Sequence, residues 1–190
     1  MEIRDWKDKN NVSSIVKSGK ALKVLLSHVK SGSLLDIGCG KGKFLKHASQ
    51  NGFDVLGFDF KNYTTDLMEV VEGDASKELP DFGKKFKIVT AWNVAEHLEN
   101  PWLFFREVNK ILDSNGIFIF SIPNVFEFKN KLSFLFRGEF YRYNDGNDHR
   151  YPFTEHLLKE LIAEFSLLER GYYSGSRLFA KTEYFVLQKK

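Results

Sequence analysis

The chain has 190 residues, of which 43% are hydrophobic and 28% charged, and this composition is typical of a globular domain with one core. Its net charge of +3 comes from interspersed charges without the basic stripe that a phosphate backbone requires, which disfavours nucleic acid as a partner. The single cysteine, Cys39, excludes an internal disulfide, and no stretch is apolar enough to span a membrane. We therefore expect one cytoplasmic domain over residues 1–190, either a monomer or a simple homodimer.

The first half of the sequence alternates helices and strands. Apolar residues between Ile15 and Val29 follow helical spacing, so residues 1–32 are expected to form a helical lead-in. The next strand runs into the glycine turn Gly38-Cys39-Gly40-Lys41-Gly42, and the short helix behind that turn ends at Asn51-Gly52. In this half, strands are predicted at residues 34–37, 53–58 and 70–74.

The second half continues the alternation. Asn100-Pro101 supplies an N-cap and a proline at the first position of one helix, and Thr154 caps another. Strands are predicted at residues 86–92, 117–122, 167–169 and 184–187. Because parallel strands need crossover connections, this order predicts a doubly wound α/β fold with a mostly parallel sheet. Ligands bind such sheets outside the carboxyl ends of the strands.

Residues 125–153 break the regular pattern between the fifth strand and the Thr154 helix. Long excursions in compact domains are more often functional than idle, so we interpret this segment as a cover over the ligand pocket. A weak peripheral contact of Phe128 to Phe136 with a membrane interface is an alternative role. The segment is rich in aromatic residues: Phe126, Phe128, Phe134, Phe136, Phe140, Tyr141, Tyr143 and Tyr151.

The glycine turn between the first strand and its helix is typical of a nucleotide site, because it lets the backbone approach an anionic group closely. Its spacing is Gly38-x-Gly40-x-Gly42, whereas the dinucleotide fingerprint has its third glycine one residue later, where this chain has Lys43. The spacing therefore disfavours a nicotinamide-binding module, which stays an alternative.

With Asp36, this turn forms the string Leu35-Asp36-Ile37-Gly38-Cys39-Gly40-Lys41-Gly42, which resembles the first motif of class I S-adenosylmethionine-dependent methyltransferases. The resemblance implies seven strands with an antiparallel last strand, a helical and aromatic cover after the fifth strand, and S-adenosylmethionine as cofactor. It implies that Asp59 accepts hydrogen bonds from the ribose hydroxyls. The cofactor-binding residues implied are Asp36, Gly38, Gly40, Gly42, Asp59, Asp74, Ala75 and Asn93.

The segment from Ala91 to Pro101 resembles the same region of small-molecule and lipid-quinone O-methyltransferases, and it lacks the Asn/Asp-Pro-Pro-aromatic signature of many N-methyltransferases. The resemblance implies O-methylation of a small molecule, a sugar or an isoprenoid-type lipid. In quinone-pathway relatives a Glu-x-x-Glu-His run has been taken as a metal site. Here Asn93 replaces the first glutamate, so we predict no metal and expect Glu96 and His97 to cap the next helix and shape the pocket.

The run Asn147-Asp148-His149-Arg150-Tyr151-Pro152-Phe153-Thr154 resembles the His-x-x-x-Phe-Thr stretch of methyltransferases that act on small molecules, sugars or lipids. We predict His149 as a general base, with its ring oriented by Asp148, although a hydrogen bond within the loop is an alternative role. Four residues are predicted to line the acceptor pocket: Trp92, His97, Tyr143 and Arg150. A non-catalytic partner protein that keeps the fold is the second alternative to the enzyme.

Overall fold

The computed structural model describes residues 11–64, 68–141, 143 and 149–190, and it describes the side chains of the first helix from residue 19 onward. Within these ranges, no helix has the length and apolarity needed to cross a bilayer. The helices and strands are α1 (Asn11–His28), β1 (Ser33–Ile37), α2 (Lys43–Gln50), β2 (Asp54–Asp59), β3 (Val70–Glu72), β4 (Phe86–Trp92), a short 3₁₀-helix (Ala95–His97), α3 (Pro101–Ile111), β5 (Leu112–Pro123), α4 (Phe128–Arg137), α5 (Glu155–Leu161), β6 (Phe165–Tyr172) and β7 (Thr182–Lys189).

The seven strands form a single sheet in the order β3-β2-β1-β4-β5-β7-β6. The pairs among the first five strands in this order are parallel, and β7 is antiparallel to both of its neighbours. The predicted doubly wound sheet with an antiparallel last strand is therefore confirmed. The fifth strand begins earlier than predicted, because Leu112 pairs with Phe86 before a shift in register.

Helices cover both faces of the sheet because the apolar side chains of the central strands alternate between the two faces. Leu34 belongs to the buried cluster that contains residues of α1 and α2, whereas its neighbour Leu35 belongs to the cluster that contains residues of α3 and α5. On β5, Ile119 belongs to the cluster with α1 and α2, and Phe118 belongs to the cluster with α3 and α5. Because β1, β2 and β4 are parallel, their carboxyl ends lie along one edge of the sheet, where the predicted site residues lie.

The ends of the helices confirm two features of the sequence. The side chain of Asn100 accepts a hydrogen bond from the backbone N–H of Leu103, with Pro101 at the first turn of α3. Thr154 accepts a hydrogen bond from the backbone N–H of Leu157 and so begins α5. The cover after β5 contains a regular helix, α4, which ends at Gly138 in the left-handed conformation.

Candidate active site

The glycine turn follows β1 and leads into α2. Gly38 has φ 72°, and the backbone N–H of Gly38 donates to the carbonyl oxygen of Phe58 on β2 at 2.7 Å. A Cβ atom at this position would clash with the side chain of Val94. Gly42 has φ 71° and is the N-cap of α2. The turn therefore needs glycine for its backbone conformation and, at Gly38, for close packing against the segment after β4.

Asp59 at the end of β2 links the two segments that the sequence assigned to the cofactor. Its Oδ2 accepts the backbone N–H of Gly40 at 2.7 Å, and its Oδ1 accepts the backbone N–H of Phe60 at 2.7 Å. Its own carbonyl oxygen accepts the backbone N–H of Gly73 at 2.8 Å. A carboxylate oxygen can accept more than one hydrogen bond, so Asp59 keeps acceptor capacity for two ligand hydroxyls.

Asp36 on β1 is 2% exposed, and the hydroxyl of Thr90 on β4 donates to its Oδ1 at 2.7 Å. Burial raises the pKa of this carboxyl from 3.8 to about 8, while the hydrogen bond from Thr90 lowers it and the charge of Asp59 raises it further. Sequence reasoning missed Thr90, although it is the one hydroxyl-bearing residue in the apolar strand β4.

The buried carboxyl of Asp36 predicts a pH dependence of stability. We expect the free energy of unfolding of the cofactor-free protein, relative to that of Asp36→Asn, to fall as the pH rises from 3.8 to about 8. In this window the unfolded chain has lost the proton of Asp36 and the folded chain keeps it, so the stabilising contribution is complete below the window and lost above it. Denaturant unfolding of both proteins across this range measures the difference. A difference that does not vary with pH would contradict a neutral Asp36.

The remaining predicted cofactor residues lie along the same edge. Asp74 accepts the backbone N–H of Ser76 at 2.9 Å, and Ala75 packs against the buried core. Asn93 has φ 55°, and its backbone N–H donates to the carbonyl oxygen of Ser121 on β5 at 3.0 Å. Ser121, which the sequence analysis did not single out, therefore fixes the chain where it leaves β4.

Cys39 lies in the glycine turn and is a poor candidate for a nucleophile. Its side chain is buried, and burial raises the pKa of its thiol to about 12, with the nearby carboxyls of Asp36 and Asp59 acting in the same direction. The thiolate form is therefore scarce at neutral pH.

Several polar side chains from distant parts of the sequence meet beyond the end of β4. The ring centroids of His97 and His149 are 4.8 Å apart, and those of His149 and Tyr143 are 5.4 Å apart. The backbone N–H of Arg150 donates to the carbonyl oxygen of Glu96 at 2.7 Å, which attaches the His149 segment to the 3₁₀-helix. The structure thus brings together three of the five residues predicted at the acceptor.

Glu96 is 0% exposed and lies in this group. One potential ligand atom each of Glu96, His97 and His149 lies within 4.8 Å of the others. The motif in the sequence indicates Glu96 and His97 but not His149. A set with one carboxylate and two imidazoles suits Mg²⁺ poorly, because Mg²⁺ prefers oxygen ligands.

The structure gives Arg150 a partner and corrects one expectation for this region. The exposed guanidinium of Arg150 lies 3.4 Å from the carboxylate of Glu99. Glu96 and His97 do not cap α3, since Asn100 does so. Asp148, predicted to orient His149, lies outside the described residues.

Trp92 is the last residue of β4. Its ring packs against Phe44 of α2, with centroids 5.2 Å apart, and against Tyr173, with centroids 6.2 Å apart. It belongs to the periphery of the core cluster beneath α1 and α2. Trp92 therefore packs beside α2, the helix that follows the glycine turn.

Comparison with known proteins agrees with this geometry. A family model described as a methyltransferase domain matches residues 16–167. The chain therefore belongs to the methyltransferase domain family, and its predicted place among the class I S-adenosylmethionine-dependent methyltransferases is confirmed. A ubiquinone biosynthesis O-methyltransferase of Azorhizobium caulinodans is 31% identical over 110 residues, which cover 52% of this chain and 43% of that protein. The chain spans about half the length of the curated relatives it matches.

Two solved structures show the same fold. A S-adenosylmethionine-dependent methyltransferase of Clostridium acetobutylicum has a TM-score of 0.69 and 14% identity, and the match covers 96% of each chain. The N-methyltransferase NodS of Bradyrhizobium japonicum, in complex with S-adenosyl-L-homocysteine, has a TM-score of 0.67 and 14% identity, with 97% of this chain and 91% of that chain covered. At this level of identity the likeness extends to the fold alone.

Proposed function

We propose that the protein transfers the methyl group of S-adenosylmethionine to an oxygen atom of a small molecule, a sugar or an isoprenoid-type lipid in the cytoplasm. One observation carries the proposal: Asp59 joins the glycine turn to the Gly73 segment on the same sheet edge as the group around His149. The name of the Azorhizobium relative supports oxygen as the acceptor, and the S-adenosyl-L-homocysteine bound to NodS supports the cofactor.

The residues of the sheet edge fit this cofactor. Gly38, Gly40 and Gly42 would let its amino-acid end approach the backbone, and Asp36 would be ionised beside its positive charges. Asp59 would accept hydrogen bonds from the ribose hydroxyls. The remaining contacts would come from Asp74 and Ala75 at the adenine and from Asn93.

The acceptor would lie beside the His149 group. When bound, the cofactor supplies a methyl group on a sulfonium, which is already activated, so the protein has to align the acceptor and exclude water. His149 would take the proton of the acceptor hydroxyl on a ring nitrogen as the oxygen–carbon bond forms and the carbon–sulfur bond breaks. His97 and Tyr143 would hold the acceptor against this ring, and Arg150 would line the acceptor pocket.

Isotope transfer tests the proposed reaction. The protein is given S-adenosylmethionine labelled with ¹³C in the methyl group, together with a catechol-type or an amine acceptor of matched shape. We expect NMR to show the labelled methyl carbon bonded to oxygen. We also expect the product to form at the same rate with EDTA as without it. A methyl carbon bonded to nitrogen would contradict the oxygen assignment. Loss of turnover in EDTA that a divalent cation restores would contradict the expected independence of metal.

Two other functions give different results in binding experiments. A nicotinamide-binding module would bind NADH in preference to S-adenosylmethionine, which the glycine spacing disfavours. A non-catalytic partner protein would bind S-adenosylmethionine without turnover on any acceptor. No observation in the described residues favours either of them over the enzyme.

A further inference from the structure

The helix α4 carries a stripe of large apolar side chains that face solvent. Phe128 is 53% exposed, Leu132 43%, Leu135 75% and Phe136 76%. Their spacing is i, i+4, i+7 and i+8, which places all four on one face of the helix. We call these four residues the α4 stripe. A contiguous exposed apolar surface of this kind usually marks an interaction site.

The opposite face of α4 is attached to the protein. Asn130 is 0% exposed, and its side-chain amide donates to the carbonyl oxygen of Asn124 at 2.8 Å, just beyond the end of β5. At about 100° per residue, Asn130 lies on the far side of the helix from the α4 stripe. The stripe therefore points outward because of the way α4 is anchored.

The apolar surface continues beyond the helix. The backbone N–H of Phe128 donates to the carbonyl oxygen of Leu178 at 2.7 Å, which brings the loop before β7 alongside the start of α4. Leu178 is 44% exposed and Phe179 is 70% exposed. These two residues extend the α4 stripe into a patch formed by two separate segments.

The charges of α4 are all positive. Lys129 and Lys131 are exposed and lie on the two sides of the α4 stripe, and the exposed Arg137 ends the helix. Two copies of this face packed about a two-fold axis would bring these cations near each other, which disfavours self-association. An apolar face bordered by lysines fits a partner with an apolar interior and anionic groups at its surface.

We propose that α4 lies in the interface of an anionic lipid bilayer, with the α4 stripe, Leu178 and Phe179 among the lipids and with Lys129 and Lys131 at the headgroups. Amphipathic helices with this arrangement bind by apolar burial together with attraction to anionic lipids. This docking concerns binding alone and does not depend on the methyl transfer.

The same helix borders an apolar cavity. The cavity has a volume of about 420 Å³ and is lined by Val125, Phe126, Lys131, Phe134, Leu135, Phe140 and Thr154. From Phe134, ring contacts continue to Phe140 at 5.0 Å, from Phe140 to Tyr143 at 6.2 Å, and from Tyr143 to His149 at 5.4 Å. If the proposed function holds, the acceptor is an amphiphile whose apolar chain enters this cavity from the membrane and whose hydroxyl reaches His149.

Binding to vesicles tests the docking. The full chain is sedimented with phosphatidylcholine vesicles and with vesicles of equal parts phosphatidylcholine and phosphatidylglycerol, and we expect binding to the anionic vesicles. Leu135→Asp/Phe136→Asp is expected to weaken this binding by at least about tenfold through lost apolar burial. Lys129→Ser/Lys131→Ser is expected to weaken it by about fivefold per lysine, and to weaken it less at high salt.

The control is Leu167→Asp/Leu168→Asp, which changes a matched pair on β6 that is 49% and 47% exposed. It should bind vesicles as the wild type does. Equal binding to both kinds of vesicle, no binding to either, or the same loss in the control would overturn the proposal. So would a dimer that dissociates in the Leu135→Asp/Phe136→Asp variant, because a second copy would then cover the stripe. An affinity for S-adenosylhomocysteine equal to that of the wild type verifies that each variant is folded. Binding of S-adenosylhomocysteine by the wild type is a separate measurement, which tests the proposed cofactor.

Discussion

Replacement of His149 by alanine is expected to lower kcat by about 10²- to 10⁴-fold while the affinity for S-adenosylmethionine stays the same, because general-base catalysis contributes rate enhancement of that size. The ring of His149 lies next to those of His97 and Tyr143. Single-turnover kinetics together with calorimetry of cofactor binding separates the two quantities.

A glutamine at this position distinguishes chemistry from placement. His149→Gln keeps a hydrogen-bonding side chain but has no proton acceptor near neutral pH, so it should be as slow as the alanine variant if His149 acts as a base. Near-normal turnover of the glutamine variant would leave His149 as a positioning residue. The matched control is His156→Ala, which removes an exposed histidine of α5 that pairs with Glu160 at 3.1 Å and should leave kcat unchanged.

Replacement of Asp59 by alanine is expected to weaken binding of both S-adenosylmethionine and S-adenosylhomocysteine by about 1.5–3 kcal/mol, which is a roughly 10- to 150-fold rise in Kd. The variant loses an acceptor for the ribose, and it also loses the carboxylate oxygen that receives the backbone N–H of Gly40. Both ligands should be affected equally, because they share the ribose and differ only in the methyl group.

The control for this prediction is Asp54→Ala at the opposite end of the same strand. Asp54 is exposed and lies 3.1 Å from Lys84, so its removal should leave both affinities unchanged. Unchanged affinity in a folded Asp59→Ala protein would refute the ribose assignment. Preference of the wild-type protein for NADH would refute the proposed cofactor altogether.

The sequence predicted most of the fold because its signals are local. The glycine turn, the Asn100-Pro101 start of α3 and the Thr154 cap each depend on neighbouring residues, and each is found where the sequence places it. The start of β5 was predicted too late, because the pairing of Leu112 with Phe86 depends on a strand more than twenty residues away.

Contacts between distant segments were harder to predict. The hydrogen bond from Thr90 to Asp36 joins two strands, and the one from Asn93 to Ser121 joins the end of β4 to β5. No spacing in the sequence indicates such pairs. The grouping of Glu96 with His149 has the same origin, since the two residues meet only when the cover folds back over the 3₁₀-helix. The sequence also indicated an aromatic cover without indicating which of its residues form the outward stripe of α4.

The hydrogen bond from the backbone N–H of Gly40 to Asp59 lies within the protein. It restricts the glycine turn, so part of the conformational entropy of this turn is lost when the chain folds. Binding of the cofactor then has to order less of this loop, so less of the free energy gained from each new contact is offset by the loss of loop entropy. A single carboxylate would thus act twice, because it would hold the glycine turn in place and would accept the ribose hydroxyls of the cofactor.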